Sequence, residues 1–279
     1  MNREHTIIAL YLTIEAACRS VLQQLGHSYR YSGGRKPHLT DAELLTIEIF
    51  GEMFGHHTDA AIWRYTDAHW RNWFPNLSSY SAFAKQSANL IGLKNLIFTQ
   101  LFTPKETVHI TDGVPMPICH LARSSRCKSF AGEASFGYCA AKKEHYYGFK
   151  GHIVVDQDQR IVAFTLAAAN IDERKVVDNL RGQISGLLIG DKGLLSKTLQ
   201  EELVNAGINL QTAMRNNMKD ERSKDWVMLL KKIRRRVETT IGQLTEFFGF
   251  SSCKAHNMWH LNAKLLRKLI AYNCKLMFR

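Results

Sequence analysis

Three carboxylates stand out by position. Thr107-Val108-His109-Ile110-Thr111 reads as a short strand that ends at Asp112, Leu187-Leu188-Ile189-Gly190 is an apolar run that ends at Asp191, and Glu238 lies inside a long helical pattern. Acidic side chains brought to one sheet edge can hold two divalent ions, the arrangement that phosphodiester cleavage uses to activate one oxygen and stabilise another. Hard oxygen ligands suit magnesium or manganese, and a shared ion offsets the repulsion between carboxylates. An Asp that closes a strand is also a common turn former and helix cap. With 25 acidic residues in the chain, spacing alone does not separate ligand from cap.

The elements that would position these groups follow from periodicity. Residues 1–105 read as a helical N-terminal domain. Thr40-Asp41-Ala42-Glu43 is a capping-box pattern, followed by Leu44, Ile47, Phe50 and Phe54 at helical spacing. The aromatic group Trp63, Trp70, Trp73 and Phe74 reads as core, and a further helix is expected from Ala82 through Leu101. Residues 106–279 change to short β-branched runs alternating with helices, which predicts a mixed α/β sheet flanked by helices. Gly151–Val155 pairs with Arg160–Phe164 through a turn that holds Asp156 and Asp158. Helices are expected from near Asp172 and over Lys197–Asn205, with a strand at Asn209–Ala213. Leu230, Ile233, Val237, Ile241, Leu244 and Phe248 mark one face of a long final helix, with Glu238 at its margin.

Charge narrows the partner. The chain has 279 residues with 37 Lys and Arg against 25 Asp and Glu, a formal charge of +12. Residues 219–279 alone hold 14 Lys and Arg against 5 Asp and Glu. A polyanion is the first partner to consider, and nucleic acid fits better than a membrane surface because no lipidation signal or amphipathic anchor accompanies the excess. No apolar run approaches the length of a membrane span, and the start does not read as a secretion signal. A cytosolic protein without a membrane partner is expected. Cys18, Cys119, Cys127, Cys139, Cys253 and Cys274 lack a repeated short spacing, which argues against a disulfide framework or a zinc ribbon, including one built from Cys119, His120, Cys127 and Cys139.

Basic residues near the carboxylates are candidates for phosphate contact. Arg234 and Arg235, followed by Arg236, precede Glu238 directly. Lys142, Lys143, Lys150 and His152 accompany Tyr146, Tyr147 and Phe149, a mixture of cations and rings suited to tracking a DNA strand, although a strand also needs a polar outer face.

Several segments together resemble bacterial insertion-sequence transposases, and among them the insertion-sequence-982 family. They are Ile110-Thr111-Asp112-Gly113, Leu188-Ile189-Gly190-Asp191-Lys192-Gly193 and Arg234 through Leu244, with Thr58–Tyr65, Gly132–Lys143, Tyr146–His152 and Asn216-Asn217-Met218-Lys219-Asp220 in order. The resemblance runs from Leu39 to Leu269. It implies an RNase H-like catalytic domain with Asp112, Asp191 and Glu238 as catalytic and metal-binding residues, 78 residues separating the first pair and 46 the second. It further implies two Mg2+ (or Mn2+) ions, cleavage at terminal inverted repeats, strand transfer into target DNA, and a homodimer working on DNA. The N-terminal domain would bind the DNA ends, and the resemblance also implies a bacterial protein associated with the nucleoid. Departures are Lys231 where related sequences place Tyr, Thr245 where they place Lys, and Leu194 where an aromatic usually follows Gly-Asp-Lys-Gly. Two other readings are a nuclease of the same fold that cuts without joining and a non-cutting DNA-binding protein derived from a transposase.

Overall fold

The computed structural model describes residues 2–26, 37–140, 142–214 and 218–278. Ala141, Asn216 and Asn217 of the motifs above lie outside them. In chain order the elements are α1 (Arg3–Leu25), α2 (Asp41–Met53), α3 (Asp59–His69), α4 (Tyr80–Asn89), α5 (Ile91–Leu101), β1 (Val108–Cys119), β2 (Ser135–Cys139), β3 (Glu144–Val155), β4 (Ile161–Ala168), α6 (Glu173–Asp178), β5 (Gly186–Gly190), α7 (Lys197–Asn205), β6 (Ile208–Thr212), α8 (Lys224–Glu246) and α9 (Met258–Met277). They form two compact units. Met1–Thr103 and Phe247–Arg279 make one, and Pro104–Glu246 make the other.

The first unit is helical. The Thr40 side chain accepts from the Glu43 N–H while the Glu43 carboxylate accepts from the Thr40 N–H, so the capping box starts α2 as its sequence directs. α2 is buried on almost every side and packs against α1, α3 and α9. The helix expected over Ala82–Leu101 is two helices, broken at Leu90, which caps α4 and opens α5. α1 is long and apolar enough, by length and composition, to cross a membrane. Its stripe of Ile7, Leu10, Ile14, Ala17 and Val21 is instead buried within this unit, beside α2 and α5.

The boundary expected at the C-terminus needs correction. Residues 106–279 were to form one domain, yet α9 joins the helical unit, where it packs on α2 and α5. Its Leu261, Leu265, Leu269 and Ile270 are buried, each contributing roughly 1.5–3 kcal/mol of apolar transfer. Arg267 and Lys268, counted among the basic excess, are buried too. Arg267 pairs with Glu48, Glu52 and Asp59, Lys268 pairs with Glu52, and Lys94 pairs with Glu48.

The second unit is built on a six-stranded sheet. Its main path runs β4-β3-β1-β5-β6, with β2 continuing the β4 side of β3. β1, β3 and β4 are antiparallel neighbours, whereas β5 and β6 run parallel to β1. This order, with helices on both faces, is an RNase H-like α/β fold. Alternation along the strands sorts side chains between the faces. Val154, Leu188 and Leu210 pack with Val177 of α6 and Leu199 and Leu203 of α7. The opposite face receives α8, which crosses β1, β3 and β5 and buries Leu230, Val237, Thr240 and Leu244.

β1 does not end at Asp112 but runs on to Cys119, held by antiparallel pairing with β3. Asp156 shapes the β3–β4 turn as expected: its carboxylate accepts from the backbone N–H groups of Asp158 and Arg160 and from Arg160 Nε.

Candidate active site

Register brings the first two carboxylates together. β1 and β5 pair in parallel from Val108↔Leu187 to Ile110↔Ile189, and Asp112 and Asp191 each follow the last pair by two residues. Equal offsets on neighbouring parallel strands, about 4.8 Å apart, leave the two side chains adjacent and on one face. That is the face that α8 covers. Arg234 and Glu238 lie one turn apart on α8, so they share a side of the helix.

The guanidinium of Arg234 stands among all three carboxylates. Its nitrogens are 3.5 Å from Asp112 Oδ2, 3.4 Å from Asp191 Oδ1 and 3.7 Å from Glu238 Oε1. Arg234 Nε is buried without a hydrogen-bond partner. Asp112 is half-buried, and its Oδ1 accepts the Gly113 N–H at 2.8 Å. Burial pushes its carboxyl above the usual range against the lowering effect of that bond and of Arg234, and the negative charges of Asp191 and Glu173 push in the same direction as burial.

Among the described residues, no three His, Cys, Asp or Glu side chains stand as a ready-made metal cage. The chemistry of the donors nevertheless fits a hard cation, because three carboxylates already converge on one positive group. Asp112, Asp191 and Glu238 are therefore the residues that could hold divalent ions. Beside Glu238 a cavity of about 310 Å³ is lined by Gly190, Thr212, Leu230, Lys231, Arg234 and Arg235.

The basic candidates separate. Arg235 is exposed at the cavity, while Arg236 is tied to the Gln157 carbonyl at 2.6 Å. Lys142 and Lys143 are exposed in the turn between β2 and β3. Lys150 is partly buried and paired with Glu173 at 2.9 Å. His152 requires correction as a phosphate contact: it is 2% exposed, and burial lowers its pKa to about 4, with Glu173 acting against and Lys150 with that shift. A neutral buried ring offers a phosphate no charge. Tyr146 and Phe149 are buried as well, whereas Phe136 and Tyr138, not singled out from the sequence, are exposed.

Glu173 was also missed. It opens α6 after the Asp172 cap, and its Oε1 and Oε2 would each lie 3.4 Å from a side-chain carbon placed at Gly113 and at Gly193, next to Asp112 and Asp191. The sequence signal was an acidic residue in a first helical turn, which by itself reads as helix-dipole compensation.

A family model described as a transposase DDE domain matches residues 102–256. The chain belongs to the DDE transposase domain family. No curated protein matches the chain. A solved structure of the piggyBac transposase synaptic complex with hairpin DNA is similar at 10% identity and a TM-score of 0.46, over 96% of this chain and 73% of that one. That likeness is too distant to carry functional weight.

Proposed function

We propose that this DDE transposase cuts DNA at the ends of an insertion sequence and joins the freed 3′-hydroxyl to a target phosphodiester, with Asp112, Asp191 and Glu238 as its catalytic carboxylates. The observation that carries the reading is their convergence around Arg234, at 3.4 to 3.7 Å, from two neighbouring strands and the helix that crosses them. Two Mg2+ or Mn2+ ions held by these carboxylates would supply Lewis-acid activation of the attacking and leaving oxygens. One site serves hydrolysis and joining, since both are in-line displacements at phosphorus.

The other residues bind and orient. Arg234 fixes the three carboxylates relative to one another and, with Arg235, presents positive charge to the scissile phosphate. Lys142 and Lys143 in the turn before β3, and Lys150 on β3, follow the DNA backbone. Residues 1–105 recognise the terminal inverted repeats, and a homodimer holds two ends at once. The resemblance to the insertion-sequence-982 family supports this assignment.

The test is a magnesium-dependent cleavage and strand-transfer assay on DNA carrying the element's ends. Wild-type protein should cut and join, and Asp112→Asn, Asp191→Asn and Glu238→Gln should do neither while retaining their fold. If Glu238→Gln cuts at the wild-type rate while Asp156→Asn is dead, the triad is wrong. Cutting without joining would leave a nuclease.

A further inference from the structure

The hairpin formed by β2 and β3 carries a feature that catalysis does not use. Along β2, Ser135, Gly137 and Cys139 are half-buried, whereas Phe136 and Tyr138 are 55% and 52% exposed. Phe136 pairs across the ladder with Tyr147, and Tyr138 with His145. Their ring centroids are 5.1 Å and 5.0 Å apart. Four rings thus lie in two cross-strand pairs on one face, and the turn that follows holds the exposed Lys142 and Lys143.

The base of this hairpin is fixed. Ser135 Oγ bonds to the Asn170 side chain at 2.8 Å and accepts the Asn170 N–H at 2.9 Å, and a side chain at Gly137 would run into Ala169 at 2.7 Å. The strand also connects the rings to the carboxylates. His145, Tyr147, Phe149, Gly151 and Ile153 alternate onto one face of β3, and Ile153 is the cross-strand partner of Asp112. Tyr147 and Ile153 are six residues apart, about 20 Å along the strand, close to the rise of six stacked base steps.

Cross-strand ring pairs by themselves stabilise a hairpin only slightly. Rings left open beside lysines are the combination that holds nucleic acid whose bases are free to stack, because every base has a flat face and every linkage a negative charge. A second copy of a chain with charge +12 would bring like charges together at the two turns. We infer that Phe136, Tyr138, Tyr147 and His145 form a stacking platform for unpaired bases of the DNA strand that enters the catalytic site, with Lys142 and Lys143 on its phosphates. The inference rests on the DNA-joining reading above and adds a base-binding surface to it.

The test compares full-length protein binding to a thymidine dodecamer and to an abasic dodecamer of equal charge. Wild-type protein should prefer the thymidine strand on the order of ten-fold. Phe136→Leu with Tyr138→Leu should remove that preference without changing affinity for the abasic strand, and the exchange Phe136→Tyr with Tyr138→Phe should keep it. Lys142→Ala with Lys143→Ala should weaken both strands alike and flatten the salt dependence. Equal loss on both strands in the Leu variant, or no loss, overturns the platform. So does wild-type self-association, seen by sedimentation without DNA, that the Leu variant abolishes, since a second copy would then cover the rings. A chain that cuts element ends but shows no preference for bases overturns the platform alone. One that prefers bases but never cuts overturns the catalytic reading instead.

Discussion

Two charge clusters in this chain use the same ingredients to opposite ends. In the helical unit, Glu48, Glu52 and Asp59 meet Lys94, Lys264, Arg267 and Lys268, and all except the partly open Asp59 and Lys264 are sealed from solvent. In the sheet unit, Asp112, Asp191 and Glu238 share the single guanidinium of Arg234, with side chains one-quarter to one-half exposed. The first cluster is balanced in the sense that it has at least one cation for every carboxylate, and its buried charges are stable only because each has a partner. The second keeps surplus negative charge at a water-accessible edge, which a structural network has no reason to retain. Balance marks the cluster that holds the fold, and imbalance marks the one with capacity for further cations.

The largest effect expected from breaking this contrast is in rate. Asp112→Asn, Asp191→Asn or Glu238→Gln should each reduce cleavage on the order of 10³-fold or more, with double variants scarcely worse than single ones, because groups that act as one unit fail together. Their urea midpoints should stay at or above the wild-type value, since an amide relieves repulsion among like charges. Asp156→Asn is the control and should retain most activity, as Asn serves in the same turn.

The helical cluster should respond in the reverse sense. Arg267→Met removes the cation shared by Glu48, Glu52 and Asp59 and leaves buried carboxylates short of a partner, a change that costs about 3–5 kcal/mol. Urea unfolding followed by circular dichroism measures it. A loss below about 1 kcal/mol would mean that the cluster is wet and the contrast false.

Both clusters show what the sequence could and could not reveal. Local signals were legible: the Thr40 and Glu43 capping box, α7 at Lys197–Asn205 and the Asp156 turn all depend on neighbours a few residues away. Asp112 and Asp191 were legible as carboxylates following apolar strand residues, though their common offset from Ile110 and Ile189 needed the register. Pro115 and Pro117 disguised the second half of β1. They are tolerated because β5 pairs with β1 only through Ile110, leaving that side open farther along, where a missing N–H breaks no ladder. Arg267 and Lys268 read as surface charge because Glu48 and Glu52, their partners, are over two hundred residues away. His152 misled for a related reason: its neighbours in sequence are basic and aromatic, but alternation turns it inward beside Gly113.

Acid should separate the clusters at an intermediate scale. Burial alone would raise the Asp59 carboxyl, but Arg267 and Lys264 overcome it and hold the group at about 2. A pKa below that of the unfolded chain, near 3.9, means that the carboxylate stabilises the fold above about pH 4 and that this contribution disappears as pH falls through about 2. Its size is roughly 2 kcal/mol. The stability difference between wild type and Asp59→Asn, measured by urea unfolding, should therefore be present at pH 6 and vanish by about pH 2. A difference independent of pH would show that charge is not what Asp59 contributes.

The smallest expected effect on stability is the sharpest test of the contrast, because it removes the same residue type from the other cluster. Arg234 has three carboxylates within 3.7 Å, as many as Arg267 has within its own cluster. A count of ion pairs would therefore rank the two arginines alike. Exposure says otherwise. Its contacts are long, its carboxylates are solvated, and partly exposed pairs contribute about 0–1 kcal/mol. Arg234→Met should thus shift the unfolding free energy by less than about 1 kcal/mol, against about 3–5 for Arg267→Met. It should also reduce cleavage strongly, because the carboxylates lose the group that sets their spacing. Arg234→Lys restores the charge but not the planar fork that reaches three partners at once, so it should recover stability fully and activity only in part. Equal stability losses at Arg234 and Arg267 would show that the carboxylates of the sheet unit are a structural network as well, and the distinction between balanced and unbalanced clusters would fall.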